Sequence, residues 1–255
     1  MDTVYKLVAL DMDGTVLNKE GAVSPENRKW INAALEAGVT VSFSTGRGVQ
    51  SALPIIEEMQ LTTPIVAVNG SEVWERPGKL LRRHLMDAEV MGRMHALAVE
   101  YDTWYWAYAV EGVFNKEKWL DDPSSVQWLK FGYFTEDSDK LRLIRATLET
   151  WGGLEITNSH PNNLEINPGG ISKASGVGEV CRLLGIGMHE VIAVGDSLND
   201  IAMIRAAGLG VAMDNAQDAV KRAADAVTAT NDEDGVAHVI RRYIFGEQPA
   251  ERSGE

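Results

Sequence analysis

The chain of 255 residues lacks the marks of several protein classes. No apolar run approaches the ~18–20 residues that a membrane-spanning helix needs. The N-terminus has neither the basic start nor the cleavage site of a secretory signal, so we expect a cytoplasmic protein. The single cysteine, Cys181, rules out an internal disulfide, fits a reducing compartment and is expected to pack in the core.

Positive charge is also scarce. Lys and Arg number 24 against 37 Asp and Glu, which gives a formal net charge of −13. Such a surface repels nucleic acid and anionic membranes, so we expect neither as a partner. A bound anion must instead be neutralised by a metal ion or by individually placed Lys and Arg side chains. We expect a small-molecule ligand, and a monomer or weak homo-oligomer.

Short apolar strands alternate with helical patterns in both outer thirds of the chain, which is typical of a parallel α/β sheet. The first helix is clearly delimited, with Ser24 as its N-cap, Pro25 as its first residue and Gly38 as its stop. The predicted strands are 5–10, 39–43, 65–68, 190–194, 210–213 and 226–229. The predicted helices are 25–37, 48–59, 174–184, 198–208, 216–224 and 233–244.

The middle of the chain interrupts this alternation. Aromatic-rich strands are predicted at 103–114 and 125–134, helices at 87–100 and 138–150, and a hairpin at 154–159 and 163–168. We therefore predict an inserted α+β domain at 83–168 within a discontinuous core domain at 1–82 and 169–255. The alternating Trp and Tyr side chains at 104–108 are expected to pack inside this insertion rather than to form a stacking platform for a sugar.

Two carboxylates, Asp11 and Asp13, directly follow the first strand in the stretch LVALDMDGT. Residues i and i+2 of an extended chain point the same way, so both can face one site. Close carboxylates repel unless a cation binds between them or one is protonated, and hard oxygens suit Mg²⁺. Gly14 and Thr15 allow a tight turn whose N–H groups face a phosphate.

Two further polar stretches fit an anion site. STGR follows the second strand, so the Thr45 hydroxyl can donate to a phosphate oxygen and Arg47 can reach an anion. Lys173 precedes a helix, and there it would neutralise both Asp11 and a bound phosphate. Each of these features is unspecific when taken alone.

The stretch GDSLND follows the strand at 190–194 and begins a helix, where ligands bind in open α/β sheets. A helix N-terminus favours anions. Asp196 can complete a Mg²⁺ site, and Asn199 and Asp200 lie beside it. Capping of the helix explains one Asp but not this cluster.

The order DxDGT, hydroxyl, Lys and GDxxND resembles the haloacid dehalogenase superfamily of phosphotransferases. The stretches STGR, VNGSEV and GVAMDNA are similar to its Cof-type branch in subfamily IIB, a group of sugar-phosphate and related phosphatases. The resemblance covers nearly the whole chain. It implies a Rossmann-like α/β core with a parallel sheet and an inserted α+β cap of type C2.

The resemblance also implies catalytic roles. Asp11 would be the nucleophile that forms an aspartyl-phosphate, and Asp13 would be the general acid and base. Thr45 would hydrogen-bond the transferring phosphoryl group, and Lys173 would stabilise its charge. Gly14 and Arg47, together with a second pair of residues, Asn69 and Asn199, would line the phosphate site.

Mg²⁺ is the cofactor that the resemblance implies. Its ligands would be the carboxylates of Asp11 and Asp196 and the backbone carbonyl of Asp13. Asp200 would lie outside this set and either hold a metal-bound water or orient Lys173.

The expected activity is that of a Mg²⁺-dependent phosphatase for small phosphorylated metabolites, most simply sugar phosphates. His160 and Asn162, at the tip of a predicted hairpin, are candidates for substrate contact, against the alternative of an ordinary exposed turn. A phosphomannomutase-like phosphotransferase is the alternative enzyme. A receiver-type signalling module is a remoter one, because receivers are about half this length and lack GDxxND.

Overall fold

The computed structural model describes residues 5–247, which form two β-sheets. In chain order the strands are β1 (Leu7–Leu10), β2 (Thr40–Ser44), β3 (Ile65–Ala67), β4 (Glu72–Arg76), β5 (Lys79–Arg83), β6 (Trp104–Ala109), β7 (Gly112–Asn115), β8 (Trp128–Phe134), β9 (Leu154–Thr157), β10 (Asn163–Pro168), β11 (Val191–Gly195), β12 (Leu209–Ala212) and β13 (Ala226–Val227). The core sheet has the order β13-β12-β11-β1-β2-β3-β4-β5, and the cap sheet has the order β7-β6-β8-β10-β9.

Eight α-helices accompany these strands within the described residues. They are α1 (Pro25–Glu36), α2 (Val49–Glu58), α3 (Ala88–Glu100), α4 (Ser138–Trp151), α5 (Lys173–Leu184), α6 (Ile201–Ala206), α7 (Asp218–Ala223) and α8 (Gly235–Tyr243). The start of α1 is as predicted: Pro25 is in the first turn, and the Ser24 side chain accepts a hydrogen bond from the Asn27 backbone at 3.1 Å. None of the helices within 5–247 is long and apolar enough to span a bilayer.

The core sheet is parallel from β13 to β3, as predicted for an α/β fold. All four residues of β1 are fully buried, because helices cover both faces of such a sheet. Leu10 lies opposite Phe43 on one side and Val194 on the other. The residues that follow β1, β2 and β11 therefore meet at one edge of the sheet. Cys181 is buried, as predicted.

The hairpin of β4 and β5 was not predicted. These strands pair antiparallel with each other and extend the core sheet beyond β3. Their sequence, EVWERPGKLLRR, carries many charges and forms an exposed edge, so it has no continuous apolar run to mark it. Gly78 forms the turn at φ 79°.

The cap sheet is antiparallel and carries α3 and α4 on one face. The predicted strand at 103–114 is two strands, because the chain turns at Val110 and Glu111. The chain enters this sheet after Arg83 and leaves it after Pro168. The architecture is the expected α/β core with an inserted α+β cap.

Candidate active site

The site is formed by three segments, each of which follows one of three neighbouring parallel strands. Asp11 directly follows β1, Thr45 directly follows β2, and Asp196 directly follows β11. Ligands bind at this edge in open α/β sheets. The alternating pattern predicts parallel strands, and the observed order β11-β1-β2 makes these three strands neighbours.

Lys173 is the first residue of α5 and lies at the centre of the site. Its side chain is fully buried, and its ammonium group lies 2.6 Å from Asp11 Oδ1 and 2.7 Å from Asp200 Oδ1. Burial alone would lower the pKa of Lys173, but the two carboxylates raise it above its usual value. Lys173 is therefore a fixed positive charge. A capping box between Ser172 and Ser175 fixes the start of its helix.

Asp200 accepts three hydrogen bonds from the protein. Its Oδ1 accepts from Lys173, and its Oδ2 accepts from the backbone N–H groups of Asp196 and Ser197, both at 3.0 Å. These three donors fix the orientation of the carboxylate and leave about one of its roughly four acceptor positions open. This geometry agrees with the predicted role of Asp200 in orienting Lys173.

Asp11, Asp196 and Asp200 each present a carboxylate oxygen within 4.8 Å of the others. Three carboxylates against the single ammonium of Lys173 leave an excess of two negative charges. Burial raises the pKa of Asp11, and repulsion by Asp200 and Asp196 adds to this against the opposing effect of Lys173. Burial, followed by repulsion from Asp200, raises the pKa of Asp196 to about 6. The donor set is all oxygen and short of positive charge, so it fits a hard divalent cation.

Gly14 makes this arrangement possible. Its φ is +77°, and a Cβ built on it would lie 2.6 Å from Asp196 Oδ2. Only glycine adopts this backbone conformation easily and leaves room for the carboxylate. The Thr15 hydroxyl lies 3.3 Å from Asp196 Oδ1, which ties the turn to the third segment of the site.

Asp13 is held by Arg47. The Arg47 Nε donates to Asp13 Oδ2 at 2.7 Å, and one terminal nitrogen donates to Oδ1 at 2.6 Å. The Thr45 hydroxyl accepts a hydrogen bond from the Arg47 backbone at 3.1 Å. The positive charge of Arg47, predicted to face an anion, is thus already paired with a carboxylate.

Asn69 connects the two sheets. Its Oδ1 accepts from Asn199 at 3.2 Å, and its Nδ2 donates to Glu165 Oε2 at 2.6 Å. Val68 and Asn69 both have positive φ values, 52° and 55°, so the chain turns sharply after β3. Asn199 Oδ1 is buried without a hydrogen-bond partner among the described residues, which suits contact with a bound ligand.

The cap sheet adds an ion pair that sequence reasoning missed. Lys130 and Glu165 are both buried, with Lys130 Nζ 3.1 Å from Glu165 Oε1. Lys130 also donates to the backbone carbonyl of Gly46 at 2.7 Å, so it joins cap to core. The available signal was a lone charge in the middle of each buried strand, in WLKFGYF and NLEINP.

A cavity of about 280 Å³ lies between the two sheets. Its lining from the core is Asp11, Asp13, Gly46, Arg47, Ser197 and Asn199, and from the cap it is Trp106, Tyr108, Lys130, Ser159, Asn163 and Glu165. Of the predicted residues, Asp11, Asp13, Arg47 and Asn199 line this cavity. Lys173, Asp196 and Asp200 lie beside Asp11.

His160 does not line this cavity. It lies at the predicted hairpin tip, but its Nδ1 accepts from the Asn162 backbone at 3.1 Å, and the side chain is exposed. Ser159 and Asn163, on the two sides of this tip, line the cavity instead. The Ser159 hydroxyl donates to Glu165 Oε1 at 3.0 Å.

The aromatic strand β6 also departs from expectation. Tyr105 packs inside the cap as predicted, but Trp106 and Tyr108 lie on the opposite face and line the cavity. Alternation along a strand sends neighbouring side chains to opposite faces, and the core sheet here covers the second face.

Comparison with known proteins shows the family of this chain. The profile of the haloacid dehalogenase-like hydrolases matches residues 8–127 and 114–240. A Bacillus subtilis protein named 5-amino-6-(5-phospho-D-ribitylamino)uracil phosphatase YcsE is 44% identical over 244 residues, which cover 96% of this chain and 98% of that protein. The Escherichia coli pyridoxal phosphate phosphatase YbhA is 28% identical, over 94% of this chain and 99% of its own.

The fold agrees as well. The solved structure of a haloacid dehalogenase-like hydrolase from B. subtilis has a TM-score of 0.86 to this chain at 28% identity. The match covers 92% of this chain and 99% of that one. The chain therefore belongs to the haloacid dehalogenase-like hydrolase family, as a phosphatase of its Cof-type branch.

Proposed function

We propose that this phosphatase hydrolyses small phosphorylated metabolites, sugar or sugar-alcohol phosphates, in the cytoplasm, with Mg²⁺ as cofactor and an aspartyl-phosphate intermediate on Asp11. The observation that supports this proposal most directly is the position of Asp11. Its carboxylate lines the cavity, and Lys173 Nζ donates to its Oδ1 at 2.6 Å. A buried, oriented carboxylate at the end of a strand suits attack on a phosphorus atom.

In the proposed reaction a carboxylate oxygen of Asp11 attacks phosphorus, and the bond from phosphorus to the ester oxygen breaks. Asp13 gives a proton to the departing alcohol. It then takes a proton from the water that attacks the aspartyl-phosphate, which releases phosphate and restores Asp11. Such a positioned acid and base typically contributes ~10²–10⁴-fold.

The remaining residues position and neutralise charge, which is most of what phosphoryl transfer requires. Lys173 and the Thr45 hydroxyl would contact the phosphoryl oxygens, with the turn at Gly14 beside them. Asn199 would use its unpartnered Oδ1 toward the ligand. Mg²⁺, held by Asp11, Asp196 and the Asp13 carbonyl, would offset the excess negative charge.

The substrate class is supported by the cavity and by a relative. YcsE is named for a substrate with a phosphorylated ribityl chain. Polar side chains from both sheets, among them Ser159, Asn163 and Asn199, line the cavity of this chain. Hydroxyl-rich chains offer donors and acceptors to such a lining.

The test is phosphate release from a panel of sugar, sugar-alcohol and nucleotide phosphates by the wild type and by Asp11→Asn, with and without Mg²⁺. We expect the substitution to reduce turnover on the order of 10³-fold or more, with an unchanged circular dichroism spectrum. Asp232→Asn, at an exposed position that does not line the cavity, is the control. Full activity of Asp11→Asn would end the proposal, and exchange of phosphate positions without release would indicate a mutase.

A further inference from the structure

Trp106 differs from the other aromatic residues of the cap. Tyr105, Trp119, Trp128 and Phe131 pack against one another in the cap core, with ring centroids 5.3–5.9 Å apart. Trp106 lies on the opposite face of β6, is half-buried and lines the cavity. Within residues 5–247 no aromatic ring packs against it. Its indole is therefore an aromatic surface left available to a ligand.

The indole lies across the cap sheet. Trp106, Gly132 and Glu165 form one row over three adjacent strands, because Gly132 pairs with Trp106 on β6 and with Glu165 on β10. A Cβ built on Gly132 would lie 2.3 Å from two atoms of the six-membered ring. The absence of that side chain lets the ring rest on the strand, directed toward Glu165. One side of the indole is supported, and the side chain still borders the cavity.

Glu165 gives this surface a polar end. Burial alone would raise the pKa of Glu165, but Lys130 and the hydrogen bonds from Asn69 and Ser159 lower it, so the group is an anion. These three donors leave about one of the roughly four acceptor positions of a carboxylate open. The open position suits an N–H or O–H donor of a ligand.

We infer that Trp106 is a specificity residue of the proposed phosphatase and that it stacks on a planar, hydrogen-bonding heterocycle in the part of the substrate that lies against the cap sheet. Glu165 then accepts a hydrogen bond from the edge of that ring. The preferred substrate class is thus a phosphorylated sugar or sugar alcohol that carries a flat nitrogen heterocycle. The inference rests on the proposed function and narrows it.

The test compares esters with and without the ring. The ring-bearing probes are 5-amino-6-(5-phospho-D-ribitylamino)uracil and flavin mononucleotide, and the ringless probe is ribitol 5-phosphate. For Trp106→Leu we expect kcat/KM on a ring-bearing probe to fall roughly 5- to 100-fold, the size of effect that loss of a base–aromatic stack produces. The fall should come from a higher KM and not from a lower kcat. The ringless probe should change less than about 2-fold, and Trp106→Phe should restore most of the loss.

Two further variants separate stacking from damage to the fold. Trp104→Leu is the matched control, because it lies on the same face of β6 outside the cavity and is 39% exposed. Gly132→Ala should displace the indole and reproduce the selective loss of Trp106→Leu. Titration of a ring-bearing probe into the Asp11→Asn enzyme by calorimetry should show the same weakening when Trp106→Leu is added.

Equal loss on ring-bearing and ringless esters, or loss on neither, would overturn the inference while leaving the phosphatase proposal in place. A wild-type enzyme that turns over ribitol 5-phosphate better than both ring-bearing probes would also overturn it. Absence of phosphate release from every ester by the wild type would contradict the proposed function itself.

Discussion

Arg47 donates one hydrogen bond to each carboxylate oxygen of Asp13, at 2.7 and 2.6 Å. Two parallel bonds fix the plane of a carboxylate as a single contact cannot. We expect Arg47→Lys to lower kcat about 10-fold, because Asp13 loses its orientation. The free energy of unfolding should change by less than about 1 kcal/mol, since both side chains are partly exposed.

Steady-state kinetics and urea unfolding of the same preparation check this first prediction. Arg142→Lys is the matched control, because Arg142 pairs with Asp139 on the exposed surface of the cap. An unchanged kcat for Arg47→Lys would show that Asp13 needs no such support.

The second prediction concerns the buried pair of Lys130 and Glu165. Glu165→Gln leaves the ammonium of Lys130 buried without its counter-charge, so it should destabilise the protein by about 3–5 kcal/mol. Lys116→Met, which breaks an exposed pair with Asp102, should cost only about 0–1 kcal/mol. Denaturant midpoints measure both. Similar small losses would mean that water reaches the buried pair.

The third prediction is a pH dependence from Glu165. Its pKa is lower in the folded chain than its ordinary value of 4.5, so the unfolded chain binds the proton more readily. The stabilisation is therefore complete above that value and disappears as the pH falls through the folded pKa. Glu165→Gln should flatten the acid side of the stability curve, which thermal melts across this range would detect. The same dependence of stability on pH in Glu165→Gln and in the wild type would contradict an ionised Glu165 in the folded chain.

The fourth prediction concerns metal binding. Mg²⁺ at about 100 times its dissociation constant should stabilise the fold by about 2.7 kcal/mol. At the same Mg²⁺ concentration, this gain in the free energy of unfolding should be smaller at about pH 5.5 than at about pH 8. Burial and Asp200 raise the pKa of Asp196 to about 6, and a protonated carboxyl does not bind the ion. Melting temperatures with and without Mg²⁺ measure it, and equal shifts at both pH values would contradict it.

The fifth prediction uses two glycines. Gly14 and Gly21 have similar positive φ values, 77° and 75°, but only Gly14 faces Asp196, whereas Gly21 has open space around it. Both alanine variants should lose roughly 1–2 kcal/mol of stability from backbone strain. Only Gly14→Ala should also weaken Mg²⁺ binding, by about 10-fold or more. Calorimetric titration distinguishes them, and equal affinities would remove Asp196 from the metal site.

The core side of the site could be predicted because short contiguous motifs carry it. Asp11, Thr45 and Asp196 each directly follow a strand whose apolar run is visible in the sequence, and parallel order brings their ends together. Lys173 was harder to predict from the sequence, since it follows no strand and only the start of the neighbouring helix indicates its position. The structure places all four where the motifs suggest.

The residues that the cap contributes to the site could not be predicted from the sequence in the same way. Lys130 and Glu165 are 35 positions apart in sequence and meet only because β8 and β10 pair with a particular register. The register also decides that Trp106 lies over Gly132, and a shift by one residue would send it to the helices. A pattern of aromatic alternation identifies two faces but does not say which of them is covered by the core sheet.

The bonds that join cap to core have a kinetic consequence. Two of these hydrogen bonds include a charged group: Lys130 donates to the Gly46 carbonyl, and Asn69 donates to the Glu165 carboxylate. Both hydrogen bonds must break before the two sheets separate. Where product release requires that separation, release and not bond cleavage sets the turnover number. A variant with a weaker bond at this seam would then work faster at saturating substrate while holding that substrate less tightly.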